Sequence, residues 1–265
     1  MQKSPGTRGR PASSYRVEAL ARGLRILTAF SEARSVLTLS ELSEIAELPM
    51  PTTFRMVSTL EEAGYLERLS SGAYRPGLRV LTLGHATLQD SDLVQMSGAS
   101  LRALADLTGQ TVNLAMLLDD QILYLVRLRN SDLVTANIHV GSTLPAAYSS
   151  IGKVLLAELD PDEVGRRIGE TGLPRGGGPN AVSSIQSLAL QLSKVRSQGF
   201  AIQDQEVAHG LRSIAAPVRN DQNKAIAGIN IAVKATDFTV AAILRELKEP
   251  LLATAHELSR RLGGR

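Results

Sequence analysis

The stretch TLSELSEIAELPMPTTFRMVSTLEEAGYLERLSSGAYRP, residues 38–76, decides the fold. Thr38 lies three residues before Glu41, which is a capping box, because the hydroxyl and the carboxylate satisfy free N–H groups where a helix begins. Apolar residues then recur at helical spacing as far as Ala46. Pro49 and Pro51 follow, and proline is tolerated only in the first turn of a helix. The pattern predicts two short helices joined by a tight turn.

The second of these helices divides into an apolar and a polar face. The predicted buried stripe is Phe54, Val57 and Leu60, and Gly64 ends the helix, as glycine commonly does. The opposite face is predicted to be exposed and polar, and we assign DNA contacts to its members, Thr52, Thr53, Arg55 and Ser58.

A short hairpin follows, with strands at 65–69 and 73–75 around a Ser-Ser-Gly turn. It contributes three further candidate DNA contacts, Arg68, Tyr74 and Arg75. A preceding helix over 15–30 is predicted to pack behind the others, with Val17, Leu20, Leu24 and Leu27 at core spacing. This order is that of a winged helix-turn-helix, whose second helix fits the major groove of DNA. The alternative is a plain helical hairpin with threonine and arginine on its surface.

Composition narrows the remaining possibilities. The 265 residues suffice for two domains, and the absence of cysteine excludes disulfides and thiolate metal sites. The start of the chain lacks the apolar segment of a signal peptide, and no apolar run approaches a membrane span, so we expect a cytoplasmic protein with no membrane partner, found at the nucleoid when bound to DNA. The net charge of +3 does not by itself indicate a nucleic-acid partner.

We divide the chain into four parts on these patterns. Residues 1–14 form a basic arm that either reaches the DNA backbone or serves as a solubilising tail. Residues 15–77 form the winged helix, 78–91 a linker helix, and 92–265 a second domain. In that domain a helix over 93–107 precedes strands at 111–118, 122–128 and 133–140, and further strands lie at 200–203, 213–218 and 225–233 among helices. The last helical stretch, about 239–262, is predicted to kink or break at Pro250. The predicted fold class is α+β, with an antiparallel sheet and packed helices.

The second domain carries little sign of catalysis. Its histidines have no partners at metal-ligand spacing, no G-x-S-x-G elbow is present, and Ser150-Ile151-Gly152-Lys153 lacks the earlier glycine of a phosphate loop. We therefore predict no metal and no cofactor. A binding protein is favoured over an enzyme, and the alternative of an enzyme that binds a small acid stays open.

A ligand site is conceivable where Tyr148-Ser149-Ser150 precedes a helix, since free N–H groups and the helix dipole favour a carboxylate there. Plain capping by Ser149 or Ser150 explains the same residues. Asp204 and Glu206 either line a pocket or are solvated, and the solvated reading is favoured.

Several blocks of sequence, in order, resemble the isocitrate lyase regulator (IclR) family of bacterial transcription factors over nearly the whole chain. They are ARGLxIL at 21–27, LTLSEL at 37–42, LEEAGY at 60–65, GKVLLA at 152–157, RxxGFA at 196–201 and GLRSIAAPV at 210–218. The resemblance implies a winged helix that binds palindromic operator DNA, a GAF-like effector domain, and homodimers or dimers of dimers. Family effectors are small organic acids.

By position in the sequence, the resemblance implies effector contacts before the helix that begins at 150, at the start of that helix, and on the strands that follow it. With Ser149 added from the capping argument, the candidate effector contacts are Leu133, Ala136, Leu144, Ser149, Ser150, Ile151, Asp204, Leu211, Ser213, Asn230 and Ala232.

Residues 134–157 resemble the aromatic-acid, β-ketoadipate pathway regulators. Thr143 stands where that group usually has arginine, which removes a carboxylate partner that Arg212 is a candidate to replace. Glu47 stands where the family often has glycine in the turn, at a cost of roughly 1 kcal/mol if the position needs a positive φ.

Overall fold

The computed structural model describes residues 16–31, 34–89, 92–129, 138–169, 172–174 and 176–264. The chain divides into two compact units, Met1–Thr87 and Leu88–Arg265. The predicted basic arm at 1–14 lies outside the described residues. Within them, no helix has the length and apolar character needed to cross a bilayer.

The first unit is a winged helix-turn-helix, as predicted. Its elements in chain order are α1 (Glu18–Thr28), α2 (Leu39–Ile45), α3 (Met50–Glu62), β1 (Leu66–Arg68), β2 (Tyr74–Pro76) and α4 (Arg79–Gln89), which continues past Thr87. The capping box is present, since Thr38 Oγ1 accepts from Glu41 N at 3.3 Å and Glu41 Oε2 accepts from Thr38 N at 2.7 Å. These hydrogen bonds from Thr38 lower the pKa of Glu41. The strands pair antiparallel, with Leu66 opposite Pro76.

The apolar stripe predicted to bury α1 is largely exposed. Val17, Leu20 and Leu24 are 62%, 63% and 53% exposed, whereas Ile26 and Ala29 belong to the core of the first unit. Leu27 packs against that core only in part. The helix carries two apolar stripes, and periodicity does not decide which one a helix buries when both are apolar.

The turn between α2 and α3 contains a strained residue. Glu47 has φ 51°, so the position that the IclR family often fills with glycine does need a positive φ here. An L-residue in this conformation costs roughly 1–2 kcal/mol. Glycine avoids that cost, but it loses more backbone entropy on folding, which offsets part of the gain. We expect Glu47→Gly to stabilise the first unit by about 0.5–1 kcal/mol. Hydrogen exchange at the α2 and α3 amides measures this.

The matched control for that substitution is Glu44→Gly, which puts the same change inside α2. It is expected to destabilise by about 1 kcal/mol, because glycine is a poor helix former. A shift of the same sign in both variants would contradict the assignment of strain to Glu47.

The second unit is an α+β domain built on a six-stranded antiparallel sheet, which confirms the predicted fold class. Its elements in chain order are α5 (Asp92–Thr108), β3 (Thr111–Leu118), β4 (Gln121–Leu128), β5 (Thr143–Pro145), α6 (Ser150–Leu156), α7 (Pro161–Gly169), α8 (Ile185–Gln198), β6 (Ala201–Asp204), β7 (Leu211–Arg219), β8 (Ala225–Lys234), α9 (Val240–Glu246) and α10 (Lys248–Arg261). The strand order is β5-β4-β3-β8-β7-β6.

The two faces of this sheet bury different helices, because side chains alternate along each strand. Val112, Ile229 and Ile231 point to one face, in a core that contains residues of α5 and α10. Ala115 and Ala215 point to the other face and pack with α6 and α8. α6 lies close to the sheet at Gly228, where an added methyl group would contact the Ile151 side chain.

Two predicted elements differ from the structure. Most of the strand predicted at 133–140 lies outside the described residues, and 138–140 are not extended into a strand, whereas β5 at Thr143–Pro145 pairs with β4. The final helical stretch breaks at Leu247, three residues before Pro250. Pro250 instead lies in the first turn of α10, where its missing N–H leaves no hydrogen bond unmade.

Candidate functional site

Of the four α3 side chains that the sequence assigned to DNA, one is buried and three are at least partly exposed. Arg55 is exposed, and Thr52 and Ser58 are half-buried. Thr53 is fully buried, and its hydroxyl donates to the carbonyls of Leu48 and Pro49 at 3.4 and 3.3 Å. The assignment of Thr53 to DNA is therefore wrong, because its side chain closes the turn that precedes the helix.

The hairpin also presents fewer groups than predicted. Tyr74 is 3% exposed and belongs to the core of the first unit, so its assignment as a DNA contact is wrong for the ring. Arg68 lies over that ring, 5.9 Å from its centroid. Arg75 makes a two-pronged ion pair with Glu67 across the hairpin, both bonds at 3.0 Å. That pair offsets the charge that Arg75 would bring to a phosphate.

A row of polar side chains crosses the sheet of the second unit on the face that α6 covers. Arg127 on β4 donates to Asn113 Oδ1 on β3 at 3.3 Å, and Asn113 Nδ2 donates to Asn230 Oδ1 on β8 at 2.7 Å. Both asparagines are buried. Burial lowers the pKa of Arg127. Burial also raises the pKa of the neighbouring Tyr124 to about 12, against the opposing charge of Arg127.

The row continues to the start of α6 and on to the edge strand. Asn230 Nδ2 lies 3.4 Å from Ser150 Oγ, and the hydroxyls of Ser150 and Ser213 lie 2.7 Å apart. Ser213 Oγ donates to Gln203 Oε1 on β6 at 3.3 Å. Buried polar atoms need such partners, so the row holds these side chains in fixed positions. We call Arg127, Asn113, Asn230, Ser150, Ser213 and Gln203 the polar row.

The start of α6 is held against the sheet by its own cap. Ser149 Oγ accepts from Gly152 N at 2.9 Å, which confirms the capping alternative for this residue. At Gly152 an added methyl group would overlap the backbone of Ala146, so the chain before α6 folds back tightly over the helix. This places Ser150 at the sheet surface.

The structure brings together part of the predicted effector set. Ser150, Ser213 and Asn230 meet in the polar row, while Leu211 and Ala232 form a small apolar cluster with Val207 on the same sheet. Two other described members lie outside the row, Ile151 on the buried side of α6 and Leu144 packed against the same core from β5. Leu133 and Ala136 lie outside the described residues.

Asp204 and Arg212 form an ion pair at the ends of β6 and β7. Arg212 Nε lies 2.6 Å from Asp204 Oδ1, and Arg212 Nη1 donates to the carbonyls of Ala235 and Phe238 at 2.8 Å. The guanidinium is thus used in holding loops together. Arg212 is accordingly a poor replacement for an arginine at Thr143.

Sequence reasoning missed Asn113, Arg127 and Gln203. Asn113 and Arg127 are polar residues between apolar neighbours within predicted strands, and this was the available signal, whereas Gln203 ends its predicted strand beside Asp204. The register of the strands brings these side chains together. It sets Asn113 opposite both Arg127 and Asn230, and Gln203 opposite Ser213.

A buried ion pair joins α6 to the loop after β6. Lys153 Nζ donates to both carboxylate oxygens of Glu206, with the two side chains 2% and 7% exposed. The prediction that Glu206 is solvated is therefore wrong. Desolvation raises the pKa of Glu206 and lowers that of Lys153, and each charge opposes the shift of the other.

Within the described part of the chain, no cluster of three or more histidine, aspartate or glutamate side chains could hold a metal ion. One unit has the fold of a DNA-binding domain, and the polar row crosses the sheet of the other. These features define a regulator with separate DNA-binding and ligand-binding domains.

The chain belongs to the IclR family of bacterial transcriptional regulators. The family's helix-turn-helix domain matches residues 19–70, and the bacterial transcriptional regulator IclR C-terminal domain matches residues 85–260. The chain is 32% identical to the Pca regulon regulatory protein of Pseudomonas putida, over 93% of this chain and 84% of that protein. It is 29% identical to the transcriptional repressor IclR of Escherichia coli K12, over 95% and 94%. These relatives are regulators of transcription rather than enzymes.

Solved structures of IclR regulators are similar to this chain in both sequence and fold. An IclR homologue of Microbacterium hydrocarbonoxydans, crystallised with 4-hydroxybenzoate, is 27% identical, with a TM-score of 0.73 over 92% of this chain and 99% of that one. An IclR family regulator from Brucella abortus is 26% identical, with a TM-score of 0.82 over 93% of each chain.

Proposed function

We propose that this regulator binds a palindromic operator as a homodimer or a dimer of dimers, and that a small organic acid bound in the second unit changes its operator affinity. The observation that carries the effector half is the polar row, in which hydrogen bonds link the guanidinium of Arg127, through two buried asparagines, to Ser150 at the start of α6. Residues 15–77 serve as the DNA-binding domain, 78–91 as the linker helix and 92–265 as the effector and assembly domain.

The effector class is an aromatic acid. The Pca regulon relative and the neighbour crystallised with 4-hydroxybenzoate support this class. The carboxylate pairs with Arg127, since Thr143 supplies no charge where the aromatic-acid regulators that this chain resembles usually have arginine. A guanidinium recognises a carboxylate with two parallel hydrogen bonds. Ser150 and Ser213 supply hydroxyls, and Leu211 and Ala232 supply an apolar contact for a ring.

The assembly is supported by apolar surface on the first unit. Val17, Leu20 and Leu24 form an exposed stripe on α1, and the described side chains of α4, residues 79–87, are all exposed. Exposed apolar patches of this kind mark protein contacts. A symmetric pair of reading helices matches a palindrome, since a two-fold protein axis demands a two-fold site.

Arg55 is the side chain on α3 from which we expect the largest loss of operator affinity. Arg55→Ala should weaken binding roughly ten- to hundredfold, because a base or phosphate contact by arginine is worth about 1–3 kcal/mol. A gel shift at fixed salt measures this. Arg102→Ala, which removes the same charge from exposed surface of α5, should leave affinity unchanged. Equal affinity of the Arg55 variant and the parent would exclude the contact.

The effector half is tested by thermal shift with 4-hydroxybenzoate, benzoate and pyruvate. An acid that binds the folded state raises the melting temperature by mass action. The same acid should then change the fraction of operator bound in the gel shift. If neither aromatic acid shifts the melting temperature, the aromatic class is wrong.

A further inference from the structure

Two large apolar side chains stand exposed on α3. Phe54 is 53% exposed and Met50 is 42% exposed, whereas Thr53 and Val57 on the same helix are fully buried. The sequence predicted Phe54 in the core. Within the described residues, neither Phe54 nor Met50 belongs to the hydrophobic core of the first unit. Their spacing of four residues puts them side by side on the helix surface.

Their position on the helix points to DNA as the occupant. Met50 opens α3 and Phe54 lies one turn later, and the N-terminal residues of a recognition helix are those that reach base edges. Arg55 is exposed beside Phe54, and the first turn of α3 holds no acidic residue. The positive end of the helix dipole is therefore not offset by a carboxylate there, which suits a polyanion better than a second protein surface.

The major groove offers one apolar group to such side chains, the C5-methyl of thymine. We propose that Phe54 and Met50 contact thymine methyl groups and thereby select thymine at one or two positions in each operator half-site. This rests on the proposed function, in which α3 reads the operator. The apolar contacts of Phe54 and Met50 would add to the polar contact of Arg55. Uracil tests them directly, because it differs from thymine only in lacking the methyl group.

The test starts from duplexes that the full-length protein enriches from a random pool. Each thymine of an enriched half-site is replaced in turn by uracil, which keeps base pairing and removes only the methyl group. At one or two positions we expect uracil to weaken binding roughly three- to fivefold, the effect of burying about one methyl group. Phe54→Ala should bind the thymine duplex more weakly and lose the sensitivity to uracil at one of these positions.

The control variant is Val36→Ala, which shortens another exposed apolar side chain of the first unit, 47% exposed and outside α3. It should keep both the affinity and the sensitivity to uracil. Met50→Ala should lose sensitivity at the adjacent position only. Because Phe54 is on the surface, its alanine variant should keep the parent melting temperature.

Different failures have different meanings. If the pool yields no enriched sequence, the proposed function itself fails. If enriched duplexes bind equally well with uracil at every position, or if Phe54→Ala keeps the full uracil sensitivity, the readout of thymine is overturned while the proposed function stands. If Phe54→Ala changes only the oligomeric state, measured by sedimentation, the patch is an interface between copies and the inference is wrong.

Discussion

Replacing Lys153 by methionine should lower the free energy of unfolding by about 3–5 kcal/mol, because it leaves Glu206 buried without its partner. Both side chains are almost fully buried, and the ammonium binds both oxygens of the carboxylate. Urea unfolding of the full chain measures the loss, and hydrogen exchange at the amides of α6 locates it. Lys194→Met, on the exposed surface of α8, should change stability by less than about 0.5 kcal/mol.

The same variant should show a defined pH dependence. Burial already raises the pKa of Glu206, and removing the ammonium raises it further. A carboxyl whose pKa is higher in the folded state than in the unfolded state favours folding at low pH and loses that contribution as pH rises through the folded pKa. The deficit of Lys153→Met relative to the parent should therefore shrink as the pH is lowered from 7.

Removing both charges should recover most of the stability. In Lys153→Met/Glu206→Leu no ion is left buried, and such replacements of buried pairs are often neutral or stabilising. A double variant as unstable as Lys153→Met would mean that packing, rather than the unpaired carboxylate, causes the loss. A single variant within about 1 kcal/mol of the parent would contradict the assignment altogether.

Replacing Arg127 by glutamine should abolish most of the response to acid while leaving operator binding without acid unchanged. A hydrogen-bonded contact between a guanidinium and a carboxylate contributes about 1.5–3 kcal/mol, so the affinity for 4-hydroxybenzoate should fall roughly ten- to hundredfold. Glutamine removes the charge and keeps a hydrogen-bond donor on β4, and the remaining bonds of the polar row, from Asn113 to Gln203, do not involve residue 127. Titration calorimetry with 4-hydroxybenzoate, together with the gel shift, separates the two readouts.

The matched control is Arg166→Gln, an arginine on the exposed surface of α7. It should keep the affinity for the acid. If Arg127→Gln binds 4-hydroxybenzoate as the parent does, the carboxylate pairs elsewhere. If it also loses operator binding without acid, Arg127 supports the fold and its role as the acid's partner is not sustained.

Local patterns predicted much of the fold. The capping box at Thr38, the strand at 111–118 and the glycine that ends α8 are each decided by a few adjacent residues, and the structure confirms all three. Gly199 has φ 78°, the left-handed conformation expected at a helix end. The blocks of sequence that resemble the IclR family indicated both domains, and the family assignment is confirmed.

The wrong predictions on α1, on α3 and at Tyr74 share one cause, which is that an apolar pattern does not show which side chains are buried. On α3, the apolar pattern fits a stripe through Phe54 as well as one through Thr53, and on α1 two stripes are apolar. Which stripe is buried depends on the neighbouring helices, which the pattern does not contain. Tyr74 is another case, since a tyrosine ring suits both a core and a DNA surface.

Only part of the candidate site could be predicted from the sequence. Ser150 could be suspected because a serine before a helix either caps it or binds a ligand. Its partners Asn113 and Asn230 are distant in the chain and meet because β3 and β8 are neighbours in the sheet. Lys153 and Glu206, 53 residues apart, meet for the same kind of reason.

The sequence by itself determined that this chain has a winged helix followed by an α+β domain, because caps, turns and alternating strands depend on interactions between near neighbours in the chain. Only the tertiary structure decided which face of α3 is buried, that Glu206 is paired and buried, and that a polar row crosses the sheet. Those outcomes depend on packing between distant elements, where the burial of one side chain is settled by what lies opposite it.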